Sequence, residues 1–95
     1  MNAADLFAPA FELGQVVATR DVMSLVGRGL MLDPYLARHH AGDWGEVSAG
    51  DAAANDGGLS CGDRLLSAYS TPFGKIWIVT EADRSSTCVL LPREY

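Results

Sequence analysis

Two rhythms of apolar and polar positions divide this chain, and they change over at Asp63. After it come three apolar-rich segments of strand length, "RLLSAYST", "KIWIVTEA" and "STCVLLP". The first link, "TPFG", is a Pro/Gly turn. The second holds "ADRSS", whose Asp, Arg and Ser suit a turn. There Asp83 can bond the amides of Ser85 or Ser86, and Arg84 is left to solvent. Three consecutive strands with short links predict an antiparallel meander. On the middle strand Ile76, Ile78 and Thr80 point one way, and Trp77, Val79 and Glu81 the other. Both faces stay apolar until the strand's end, which predicts a central strand. One face then packs helices, and the other is partly covered, with room for a second subunit. Pro92 ends the last strand.

Before Asp63 most of the pattern is helical, in short pieces. The exception is "FELGQVVATR", read as a strand because Val16 and Val17 are β-branched, with Phe11 and Leu13 in support. Gly14 marks a bulge or a close approach. In "TRDVMSLVGRGL" Thr19 caps a helix and Asp21 suits its first turn. Val22, Met23, Val26 and Leu30 give a partial helical period, Leu25 widens it, and Gly27 and Gly29 end it. "LDPYLARHHAGDWG" predicts a second helix with Asp33 as cap, Pro34 at the first helical position and Gly42 at its end. Trp44, in the turn after it, is predicted to fold back over the core. "SAGDAAAND" is a third helical candidate, capped by Ser48 with Asp51 and stopped by Gly57 and Gly58. The first ten residues, Ala-rich with Pro9, read as a loose arm. The expected fold is one α+β domain over residues 11–95. Its antiparallel sheet combines the N-terminal strand with the C-terminal three-stranded meander and packs against two or three short helices.

A chain of 95 residues suits a single domain with a modest core, and 48% apolar residues speak against global disorder. No apolar run approaches the roughly 20 residues that span a bilayer. The start, "MNAADLFAPAFELG", has neither the basic beginning nor the apolar run of a secretory signal. The expectation is a cytoplasmic protein away from membranes. Cys61 and Cys88 are then free thiols, and no Cys-x-x-Cys pair supports a zinc ribbon or a redox motif.

The formal charge of −5 is concentrated. None of the seven basic residues lies between His39 and Asp63, a window that holds Asp43, Glu46, Asp51, Asp56 and Asp63. The other seven acids balance the seven bases. This layout lacks a basic footprint and disfavours nucleic acid. It fits a basic protein partner, or simply a solvated surface.

Candidate chemistry is sparse. His39, His40 and Asp43 are metal-ligand types, but adjacent helical residues diverge by about 100° and no His-x-x-x-His pair exists. His39 and Asp43, four apart, could pair if the helix reached that far. Glu81, Asp83, Arg84, Ser85 and Ser86 form a polar cluster that could hold an anion or serve a hydrolase. A nucleophilic serine needs a base, and no histidine is near in sequence. "VGRGL" lacks the strand and helix that make a phosphate loop, and Lys75 reads as a surface residue. Tyr69, Phe73 and Trp77 could stack bases, against the acidic balance.

The strings "FELGQVVAT", "LARHHAGDWGEV" and "RLLSAYSTPFGKIWIVTEADRSSTCVLLPREY" resemble a group of small uncharacterised proteins. These are encoded on plasmids, integrative elements and prophages of proteobacteria. The resemblance covers Phe11 to Tyr95, and "ARHxxGDWG" and "TEADRSST" are its distinctive parts. The segment "SAGDAAANDGGLSCGD" departs from it, which bears on the third helix. Some members carry a label as a type I restriction methylation subunit. That label cannot be literal, because a chain of this size has no room for a cofactor-binding α/β domain. The resemblance implies genes for mobile-element maintenance or for contests with host defence, and it carries over no catalytic residue. The resulting expectation is a non-enzymatic accessory protein of mobile elements that binds a protein, an inhibitor of host defence being one form. Its candidate surface is Asp43, Trp44, Glu46, Asp51, Asp56, Glu81, Asp83, Arg84, Ser85 and Ser86, with no metal and no cofactor. The alternatives are a small enzyme that gathers His39, His40, Asp43, Glu81, Asp83 and Ser86 in one cleft, and a single-strand nucleic-acid binder.

Overall fold

A computed structural model describes residues 9–95. Along the chain lie β1 (Gln15–Ala18), α1 (Arg20–Gly27), α2 (Asp33–His40), α3 (Ala49–Cys61), β2 (Leu65–Thr71), β3 (Gly74–Thr80) and β4 (Ser86–Leu90). A 3-10 turn, Pro92–Glu94, follows. The four strands form one sheet in the order β1-β4-β3-β2.

The sheet is mixed, which corrects the expectation of a purely antiparallel one. β2–β3 and β3–β4 are antiparallel, but β1 lies parallel to β4, with Val16 beside Thr87 and Ala18 beside Val89. The cause is the path of the chain. It leaves β1, crosses one face as α1 and α2, runs beside the far edge as α3 and enters β2 there. Only a tight hairpin obliges neighbours to be antiparallel, and β1 and β4 share none.

The pairing fixes two faces. Leu65, Ser67, Tyr69, Ile76, Ile78, Thr80, Thr87 and Val89 share the inner one. There Tyr69, Ile76, Ile78 and Val89 close a core with Val22 of α1 and Leu30 after it. Leu25, Val26, Tyr35 and Leu36 pack around them. Each such apolar side chain contributes roughly 1.5–3 kcal/mol by leaving water. The outer face carries Leu66, Ala68, Trp77, Val79, Cys88 and Leu90. The C-terminal turn lies near it, with Tyr95 edge-on to Trp77 at 5.3 Å between ring centres.

The helix ends follow the sequence in part. The Thr19 hydroxyl accepts from the Val22 amide at 3.3 Å, and the Ser48 hydroxyl from the Asp51 amide at 3.1 Å. Asp33 is not a cap: it is the first residue of α2, and Leu32 precedes it with no side-chain cap. α3 does not stop at Gly57 and Gly58 but continues to Cys61, closing on Gly62 at φ 75°. Gly58 is buried in close packing, where a Cβ would stand 3.2 Å from Leu65 Cδ2 and 3.3 Å from Asp63 Cβ. That contact overrides the low helix propensity of glycine.

The outer edge of β2 is closed. The Leu66 amide donates to Asn55 Oδ1 at 3.1 Å, and Asn55 Nδ2 donates to the Leu66 carbonyl at 2.7 Å. The Ala68 amide donates to the Trp44 carbonyl at 3.1 Å, and the Glu46 amide to the Ala68 carbonyl at 2.7 Å. The Ser70 amide donates to Glu46 Oε2 at 2.6 Å. Gly45 makes this approach feasible, since it has φ 72° and a Cβ there would run into the Ala68 carbonyl and the Tyr69 ring. Of the expected loose arm, residues 1–8 lie outside the described residues, whereas the Ala10 amide donates to the His40 carbonyl at 2.8 Å. Among the described residues no helix is long and apolar enough to cross a membrane.

Candidate functional site

Inside the sheet runs a chain of polar side chains joining four elements. His39 Nδ1 meets Ser67 Oγ at 2.5 Å, and its Nε2 meets Thr80 Oγ1 at 2.8 Å. Thr80 Oγ1 meets Thr87 Oγ1 at 2.7 Å, and Thr87 donates to the Leu13 carbonyl at 2.7 Å. All four side chains are fully buried. One proton per hydroxyl sets the direction. Thr87 gives its proton to Leu13, so Thr80 donates to Thr87. His39 Nε2 must then carry a hydrogen for Thr80, and Nδ1 accepts from Ser67. The imidazole is neutral with its proton on Nε2, and burial, helped by the neighbouring His40, lowers its pKa to about 4. Phe11 and Trp44 wall the ring edge-on, at 5.2 and 5.8 Å. Every group in this chain is satisfied and out of solvent, so its chemistry is structural. Sequence reasoning missed it, although Thr80, Thr87 and Ser67 are polar residues at core-facing positions of apolar strands.

The residues named for an enzyme do not converge. His39 is in the interior. Asp43 does not pair with it but with Arg38, Oδ2 to Nε 2.7 Å, and that bond first of all lowers its pKa. Glu81 pairs with Arg64 at 3.0 Å, and Ser86 lies on the outer face beside Cys88. Asp83 accepts from the Ser85 amide at 3.0 Å and holds the β3–β4 turn. Among the described residues no three His, Cys, Asp or Glu side chains gather as a metal would require. The three aromatics named as a stacking platform divide between the faces: Tyr69 inward with Phe73 against the core, Trp77 outward.

Three members of the candidate surface need correction or discount. Trp44 is only 6% exposed, because its ring stacks on Phe11 and its indole N–H donates to Asp56 Oδ1 at 2.9 Å. Arg84 is not left to solvent. Its guanidinium donates to the carbonyls of Asp63 (2.6 Å), Gly58 (2.9 Å), Glu81 (3.1 Å) and Ala82 (3.2 Å). Glu46 is engaged by Ser70, which lowers its pKa, and by Lys75 at 4.0 Å. Within the acidic window Asp43, Glu46 and Asp56 are engaged by Arg38, Ser70 and Trp44, while Asp51 and Asp63 are exposed.

What does gather is a groove of about 380 Å³ on the outer face. Val79, Cys88 and Leu90 make its floor, and Arg64, Glu81, Ser86, Glu94 and Tyr95 its walls. Asp83 and Ser85 extend it toward the β3–β4 turn. The Leu91 amide and then the Thr19 hydroxyl hold Glu94 below the usual carboxylate range, and Ser85 does the same for Asp83. Burial, then Glu94 and Glu81, push the Cys88 thiol up, so it stays protonated at neutral pH. Arg64 is the one cation among these walls, and it is bonded to Glu81 and to the Tyr95 hydroxyl at 3.3 Å. The groove is apolar beneath and acidic at the rim.

Comparison with family models, with curated proteins and with solved structures found no match for this chain.

Proposed function

We propose that the protein is a non-enzymatic binding protein whose outer groove holds an apolar, positively flanked segment of a partner protein. The observation that carries this reading is the lining. Val79, Cys88 and Leu90 form an apolar floor, under three carboxylates (Glu81, Asp83 and Glu94) and one guanidinium already paired. An apolar anchor in a pocket gives affinity, and opposite charge at the rim gives orientation and speed of encounter. Of the two candidate surfaces, the acidic window and the β3–β4 turn, this reading uses the second, with Glu81, Asp83, Ser85 and Ser86. The resemblance of residues 11–95 to mobile-element proteins supports a role as an accessory factor of such an element. An inhibitor of a host defence protein is one form of it.

Selection from a random peptide library on the immobilised protein tests the reading. Enriched peptides should carry Leu, Ile or Phe beside Lys or Arg. Their affinity should fall with salt, and Ser86→Lys should weaken them roughly tenfold. Asp51→Lys, away from the groove, should leave them unchanged. Enrichment of acidic peptides, or indifference to Ser86→Lys, would refute the assignment.

A further inference from the structure

The outer face of the sheet is one apolar surface in two rows. Leu66, Val79 and Cys88 stand side by side across β2, β3 and β4, and so do Ala68, Trp77 and Leu90. The C-terminal turn divides this surface. On one side lies the groove of about 380 Å³ over Val79, Cys88 and Leu90. On the other a hollow of about 230 Å³ opens over Leu66, Ala68 and Trp77, with Pro92 at its edge. Tyr95 stands between the two. It walls the groove, and its ring lies edge-on to Trp77 of the hollow. The turn is not held evenly. Arg93 pairs with Asp21 of α1 at 2.9 Å, and Glu94 Oε1 accepts from the Thr19 hydroxyl and the Leu91 amide, each at 2.8 Å. Tyr95 is held less firmly. Its amide donates to the Pro92 carbonyl and its hydroxyl accepts from Arg64, both at 3.3 Å, beyond the usual hydrogen-bond range. The residue is 63% exposed. A rotation after Glu94 therefore moves the ring and leaves the rim carboxylates where they are.

We propose that Tyr95 is an internal stand-in for an aromatic side chain of the partner segment. The partner's ring displaces Tyr95, packs against Trp77 and offers Arg64 a phenol oxygen, so tyrosine is preferred to phenylalanine. This rests on the groove reading above for the partner's basic charge, and it adds the anchor that the charge accompanies. Aromatic side chains are frequent anchors in such pockets, and edge-on packing of rings is a favourable arrangement. With Tyr95 turned out, the groove and the hollow become one site. Glu81, Asp83 and Glu94 stay at its rim to meet the basic residues of the segment. In the free chain Tyr95 keeps the place filled, and the apparent affinity for a partner is reduced by the fraction of molecules in which it does so.

The probe is N-acetyltyrosinamide, titrated into the full chain and into Tyr95→Ala while the two tryptophan indole N–H signals are followed by NMR. Tyr95→Ala should bind it about fivefold or more tighter than the native chain. The Trp77 signal should move, and that of Trp44, held by Asp56, should stay. Tyr95→Phe keeps the ring but loses the bond to Arg64, and should fall between the two. N-acetylphenylalaninamide should bind Tyr95→Ala more weakly than the tyrosine probe, and N-acetylalaninamide should not bind. The sign is decisive, because a wall that merely added contact would lose affinity when truncated. Equal binding by the native chain and Tyr95→Ala, no binding by Tyr95→Ala, or movement of Trp44 in place of Trp77 would overturn the proposal. The probe carries no charge, so it reads the aromatic place alone. Peptide selection reads the acidic groove, and either result stands without the other.

Discussion

His39 shows how much one buried imidazole can constrain. The hydroxyls it meets leave it a single tautomer, and its site leaves it a single charge state. The sign of the pH dependence follows. The unfolded histidine takes a proton near its ordinary pKa of 6.5, whereas the native one does so only near 4. Stability from this group is full above pH 6.5 and is lost as pH falls from there toward 4. The loss amounts to about 3 kcal/mol at most. Urea titrations between pH 7 and pH 5 should show the decline, and a variant with His39 replaced should lack it. Ser67→Ala orphans Nδ1 and should cost about 1–3 kcal/mol in the same titration at pH 7. Thr80→Val should cost more, because it strands both the Nε2 hydrogen and the Thr87 oxygen. None of this was readable from spacing, since residues 39, 67, 80 and 87 follow no common period. The usable signal was parity: Thr80 falls in step with Ile76 and Ile78, and Thr87 with Val89.

At the scale of the element, α3 and the β3–β4 turn teach the most. The adjacent glycines of α3 do different work. Gly57 has open space where its Cβ would be, and Gly58 has Leu65 and Asp63. Gly57→Ala should raise stability by about 0.5–1 kcal/mol through helix propensity, while Gly58→Ala should lower it. Thermal unfolding of the pair decides the point. The sequence located this helix by its cap and its alanines, but it could not tell a glycine that ends a helix from one that lets another strand approach. The turn "ADRSS" was likewise legible as a turn, with Asp83 in its bonding role. Its centre was not. Arg84 adopts φ 61°, an uncommon conformation for a residue with a side chain. The bonds that hold it run to the end of α3 and to the segment before β2. Arg84→Lys keeps the charge but loses the planar fork, and should lower the unfolding free energy by about 2 kcal/mol.

For the whole molecule, strands and helices were visible in the alternation of side chains, because each element's period is a local property. Strand direction was not, because it depends on the route of α1, α2 and α3 between the two edges of the sheet. The same limit applies to the groove. Val79 and Leu90 were visible as strand residues, but that the C-terminal turn would bring Glu94 and Tyr95 to them depends on tertiary packing. Within the acidic segment the sequence did not show which charges find partners: Asp43 and Glu46 meet Arg38 and Lys75, while Asp51, Asp56 and Asp63 stay exposed.

The parallel seam between β1 and β4 also orders events in time. Ser86, the register partner of Gln15, leaves the ribosome seventy-one residues after it. Synthesis at about 5–20 residues per second leaves β1 waiting for seconds. Closing so long a loop is entropically costly and slow, so this seam should zip last. In pulsed hydrogen exchange during refolding, the Gln15 and Thr19 amides should gain protection after those of the β2–β3 hairpin.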